Sequence, residues 1–158
     1  MSDAYVLLKW LHVLAACAYV GGSFANGLMK ALADRAASAD ASASLLHAVV
    51  WSNRLLLVAP SGVLLVTGIA MALIAGLPLA SGWVAEGLAL FALLSLALAW
   101  AMRLEQHLAR LASDAAARRE ELPPAYRTLG PLYAGLGLGA TLAMLAVLYV
   151  MVAKRPIL

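Results

Sequence analysis

Charge and cysteine are what this sequence has least of. Asp, Glu, Lys and Arg make up 12% of the 158 residues, where a soluble domain carries about 25%. The shortage is matched by an excess. Hydrophobic residues reach 65%, against about 45–50% in soluble domains, and the mean hydropathy is +0.92. A soluble globular domain and a disordered tail are both excluded. Cys17 is the single cysteine, so no internal disulfide can form, and its place in an apolar run reads as a small core residue. One cysteine and three separated histidines form no zinc pattern. The formal charge of +3 does not call for nucleic acid, because membrane proteins gather Lys and Arg in their cytoplasmic loops.

What remains is a set of long apolar runs. Four spans are expected, at residues 4–28, 55–77, 83–102 and 132–153, each long enough to cross about 30 Å of hydrocarbon. The N-terminal run lacks a clear basic leader and is too long for a cleaved signal, so it reads as a retained first span. The fold class expected is all-α: a four-transmembrane-helix bundle with cytoplasmic amphipathic extensions, forming one integral membrane domain over residues 1–158. A surface helix is expected in the polar segment from Lys30 to Ser44, followed by an amphipathic stretch from Leu45 to Arg54. Pro60 should kink span two near its start, because proline lacks a backbone donor. Span three continues past Arg103 as an amphipathic helix with Leu104, His107, Leu108 and Leu111 on one side, its charges solvated, until Pro123-Pro124 stops it.

Eight of the 11 Lys and Arg residues fall in the first and third connections; the other three are Lys9, Lys154 and Arg155. The positive-inside rule then places both termini outside, in a bacterial inner membrane. Tyr5, Trp10, Trp83 and Tyr149 would form an outer aromatic belt, and Trp51, Trp100 and Tyr133 an inner one. Gly21, Gly22, Gly27, Gly135 and Gly139 suit close backbone approach, the last two with the small-xxx-small spacing of helix pairs.

Ionisable groups within the spans are the informative ones, since each is costly to leave unpaired there. They are Lys9, His12 and Glu86. Lys9 and Glu86 start spans one and three at similar depth, which suggests an ion pair. His12 shares a helix face with Lys9. It fits two roles: a polar core residue bonded to Thr67 or a backbone carbonyl, or a haem ligand in a helical bundle. His47 and His107 lie roughly 20 Å away along the bundle by helix rise, so neither can share an iron with His12. Met71 and Met144 are expected near its depth, as weak axial partners or as core filler. Lys9 is a further candidate ligand or propionate partner.

The stretch from Leu8-Lys9-Trp10-Leu11-His12 to Gly21-Gly22 resembles the opening of domain of unknown function 2269, a family of predicted bacterial integral membrane proteins. Thr67-Gly68, the loop ending at Trp83, the turn from Leu122 to Arg127 and the ending from Met151 to Pro156 extend the likeness over nearly the whole chain. More distantly, Lys9-Trp10-Leu11-His12 is similar to a first-span motif of the membrane-bound, haem-containing protoporphyrinogen oxidase, and the chain is similar to CopD-like membrane domains. That resemblance implies haem b on His12. The oxidase's later lysine-rich motif has no counterpart here, since spans two to four contain no lysine before Lys154.

The expected function is therefore a small membrane redox or electron-transfer protein that holds haem b. Any catalysis would be that of a membrane oxidoreductase. Its partners would be the bilayer and either a quinone or a partner membrane subunit, with homo-oligomerisation open. The alternative is a non-catalytic accessory or assembly subunit. A transporter built on Lys9, His12 and Glu86 ranks last, because four spans without inverted repeats make a poor pore.

Overall fold

The computed structural model describes residues 3–36 and 38–155; Pro156, part of the C-terminal resemblance, lies outside them. The described residues form helices joined by short connections, without strands. Helix α1 is Asp3–Arg35 and α2 is Ala39–Ser52. A π-helical segment, Asn53–Val58, joins α2 to α3, Ala59–Ile74. Helices α4, Gly82–Arg118, and α5, Pro124–Ala153, complete the chain. Since α2, the π segment and α3 form one run, there are four long helical rods, each long and apolar enough to cross a membrane.

Neighbouring rods are antiparallel. His12 meets Thr67, Gly22 meets Leu56, and Asn26 meets Asn53, so partner numbers fall as α1 numbers rise. One end of the bundle carries Asp3 and Arg155, the first and last described residues. The other carries Arg35, Arg110, Arg118, Arg119 and Arg127, and is called the arginine-rich end below.

The chain packs most densely at that end. Ala33, Ala43, Leu46, Leu108, Ala109, Ala112, Tyr126 and Tyr133 form the main core cluster. This corrects the expected surface helix at 30–44. Residues through Arg35 continue α1, and the next helix begins after a short break with Ser38 as its N-cap, accepting from the Ala41 amide. Ser42 is buried and donates to the Ala33 carbonyl at 2.9 Å. The half nearer Asp3 and Arg155 holds a smaller cluster of Tyr19, Leu57, Leu94 and Met144. There the large apolar side chains, such as Phe24, Leu65, Leu96 and Leu142, point outward, as lipid-facing residues should.

Helix α1 explains how the bundle closes. Its buried residues are Ala15, Tyr19, Gly22, Asn26, Lys30 and Ala33, spaced by three and four into one narrow stripe. Gly22 alone of the five glycines expected to bring backbones together does so: a Cβ there would sit 2.6 Å from Leu56 Cβ, while Gly21, Gly27, Gly135 and Gly139 face open space. Cys17 is also on the outer face, exposed rather than in the core.

Pro60 acts on the turn before it. Its ring crowds the carbonyl four residues back and offers it no proton. The chain relieves this with a π turn, in which the Ala59 amide reaches back five residues to the Arg54 carbonyl. The added residue shifts the helix phase and brings Asn53 to the interior with Leu57. Gly76, in the left-handed region at φ 65°, ends α3. There the Leu77 amide closes on the Ala72 carbonyl, a cap that glycine adopts at low cost.

Candidate functional site

Two polar sites stand out, one near each end of the bundle. The first is His12. It lies half-buried on α1 against α3, and its Nδ1 is 2.8 Å from Thr67 Oγ1. The Thr67 hydroxyl proton is already committed, because that oxygen donates to the Val63 carbonyl at 2.6 Å. Thr67 Oγ1 must then accept from His12, which assigns the Nδ1–H tautomer and leaves Nε2 with its lone pair. The ring is seated on Gly68, where a Cβ would come within 3.2 Å of His12 Cε1. The expected contact between His12 and Thr67 is thus present.

The other expected residues group around it unevenly. Met71 is half-buried one helical turn beyond Thr67 on α3. Lys9 is exposed. The ion pairs among the described residues include Lys30–Asp34 and Arg127–Glu121. Met144 is not at the depth of His12. It packs with Tyr19, which is seven residues, or about 10 Å of helix rise, further along α1. The stagger set by Ser23 beside Thr141, 3.3 Å apart, fixes this. Of the expected ligands, His12 and Met71 thus lie at neighbouring depths on facing helices, and Met144 belongs to the core. His47 and His107 are exposed at the arginine-rich end. No group of three or more His, Cys, Asp or Glu among the described residues could hold a bare metal ion.

The second site corrects the sequence reading. The sequence places Lys30 at the start of a polar surface helix, Glu105 on a solvated helix face and Tyr133 in an aromatic belt. Lys30 is 3% exposed, Glu105 1%, and Tyr133 is buried with them. The inward face of α4 here is Glu105, Leu108, Ala109, Ala112 and Ala115, one residue out of phase with the face expected. Asn26 Nδ2 donates to Asn53 Oδ1 at 2.7 Å, and Asn53 Nδ2 donates to Glu105 Oε2. Tyr133 donates its hydroxyl to the same Glu105 oxygen at 2.8 Å. Beside this chain, Lys30 Nζ pairs with Asp34, which also accepts from the Tyr126 hydroxyl at 3.0 Å. The ammonium stands 5.5 Å from the Tyr126 ring centre and 5.8 Å from that of Tyr133, within cation–π range. Each tyrosine thus gives its hydroxyl to one carboxylate and its ring to the lysine.

Burial pushes the Glu105 carboxyl up from 4.5 to about 7, against the opposing hydrogen bonds from Tyr133 and Asn53. Burial, then the Asp34 charge, raises the Tyr126 phenol above its ordinary value. Asn26 Oδ1 is buried without a hydrogen-bond partner. A cleft of about 850 Å³ opens at the arginine-rich end, with Asp34, Tyr126 and Gly130 in its wall.

The signal for this site was in the spacing. Asn26, Lys30 and Asp34 repeat every four residues, and the first two continue the stripe of Ala15, Tyr19 and Gly22. Glu105 sits three and four residues before buried Leu108 and Ala109. Polar residues in register with a core stripe point inward, whatever their charge.

Neither a curated protein nor a solved structure matches the chain. One family model does, over residues 6–155, and its description is a predicted integral membrane protein. Four apolar helical rods of spanning length agree with that description. The chain is an integral membrane protein with four spans and belongs to the DUF2269 family.

Proposed function

We propose that the chain is a small membrane redox protein that holds a b-type haem on His12. One observation carries this reading: the Thr67 hydroxyl, by giving its proton to Val63, fixes the His12 tautomer and leaves Nε2 as a base. Ligating histidines are oriented in this way, by a hydrogen bond from the other ring nitrogen. Bound haem would supply one-electron chemistry at its iron. The chain's own residues would do the rest. Thr67 holds the imidazole plane, Gly68 gives the ring room, and Met71 offers a soft sulfur. Lys9 supplies a cation of the sign that a propionate requires. The exposed apolar faces keep the site in lipid. The arginine count favours an orientation in a bacterial inner membrane with both termini outside, which puts His12 in the outer half. Electrons would pass to a quinone or a partner membrane subunit.

The test is the absorption spectrum of the chain purified in mild detergent from haem-supplied cells, oxidised and dithionite-reduced. A Soret band with reduced b-type bands is the expected result. A colourless, haem-free protein would overturn the reading and favour a non-catalytic accessory subunit. A specific observation suits that second role: the apolar groove between α4 and α5, walled by Gly135, Gly139, Ala140 and Ala143, has the small side chains that admit a neighbouring helix.

A further inference from the structure

The buried site at the arginine-rich end has an imbalance in both charge and hydrogen bonds. Lys30 contributes one positive charge, and Asp34 and Glu105 contribute two negative charges when ionised. Asp34 takes the lysine. Glu105, 1% exposed, is held by two neutral donors, Asn53 and Tyr133, both on Oε2. A buried carboxylate without a paired cation is costly, and protonation is the usual remedy. Asn26 Oδ1, at the far end of the chain that runs through Asn53 to Glu105, is a buried acceptor without a donor.

Among the described residues, no other charge supplies the balance. From α1, the groups that face Glu105's surroundings are Lys30 and Asp34. From the π segment it is Asn53, while Arg54 is exposed and lies over the Trp51 ring. From α5 they are Tyr133 and Tyr126, while Arg127 is exposed and pairs with Glu121. On α2 and α4 themselves, His47, Arg103 and His107 are exposed.

A series of contacts leads from the cleft to the site. The cleft is walled by Asp34, Tyr126 and Gly130, and these touch Lys30: a Cβ on Gly130 would lie 3.6 Å from Lys30 Nζ and 3.8 Å from Asp34 Oδ1. Lys30 in turn stands over the Tyr133 ring, whose hydroxyl reaches Glu105.

We propose that Glu105, with Asn26, Asn53 and Tyr133, is a proton-binding site filled from water in the arginine-rich-end cleft past Asp34, Tyr126 and Lys30. A hydronium ion in the cleft gives up its proton and becomes water. The proton forms an O–H bond on the Glu105 carboxylate, and the cluster goes from one net negative charge to neutral. The upward displacement of the Glu105 carboxyl sets this exchange near neutral pH. The site is independent of haem, and so is its test.

The experiment is infrared spectroscopy of the whole chain in lipid bilayers across the neutral pH range. A protonated-carboxyl band should lose intensity as pH rises, with its midpoint near 7. Glu105→Gln should remove that band, and Asn26→Leu should shift its midpoint. For the route, Gly130→Leu should slow hydrogen–deuterium exchange of the band severalfold without moving the midpoint. Tyr126→Phe keeps the ring over Lys30 and is the milder companion if Gly130→Leu fails to fold; it should slow exchange to a smaller degree. Absence of a titrating band in the wild type, or a band that survives Glu105→Gln, would overturn the site. Unchanged exchange in both cleft variants would overturn the route.

Discussion

Replacing Glu105 with Gln should change how stability depends on pH, and the size of the change follows from the site. In the folded chain the carboxyl is pushed to about 7, against 4.5 in the open. Between those values the folded state holds a proton that the unfolded state has lost. Stability from this group is therefore fully present below pH 4.5 and is lost as pH rises through 7. Each pKa unit is worth about 1.36 kcal/mol, so the loss is about 3 kcal/mol. Gln keeps an acceptor for Asn53 and Tyr133 but has no proton to exchange. The assay is unfolding of both proteins in the same detergent from pH 4.5 to 8. Only the difference between them matters, because exposed groups contribute equally to both. The wild type should lose about 3 kcal/mol relative to Glu105→Gln over that range. Parallel pH profiles would refute the buried carboxylate. Glu105→Ala serves as the contrast: it strands two buried donors and should cost about 1–3 kcal/mol for each at every pH.

Three further outcomes are expected. Gly22→Ala drives a methyl group into Leu56 and its carbonyl, so it should lower stability by about 1–3 kcal/mol, read by thermal unfolding in detergent; Gly21→Ala, facing open space, is the control. Arg119 ends α4 at φ 57°, so Arg119→Gly should raise stability by about 0.5–1 kcal/mol. Thr67→Val removes the oxygen that orients His12, and should weaken haem binding about 10–100-fold in a spectral titration, with the helical content unchanged.

The four rods were legible because each carries a long apolar run, and the His12–Thr67 contact was legible because both are polar positions in otherwise apolar spans. Lys30 and Glu105 were missed for one physical reason. Charges beyond the end of a span read as solvated, yet the edge of the hydrocarbon is not the edge of the protein's interior. Here α1, α2, α4 and α5 run past the expected spans and pack on one another, so a second core forms with Leu46, Leu108 and Ala112 at its centre. Met144 was misplaced by the same cause. The apolar run does not show how α5 is staggered, which its contacts with α1 set. Pro60 announced a disturbance in span two, but not that a π turn would carry Asn53 inward. That depends on partners from α1 and α4 that no local window contains.

The measurement that bears most directly on the central claim is a haem titration of the apo-protein in detergent, wild type beside His12→Ala. The account predicts saturation at one haem per chain for the wild type and loss of that binding in the variant, at matched thermal stability. Equal haem binding by the two proteins, or none by the wild type, would contradict it.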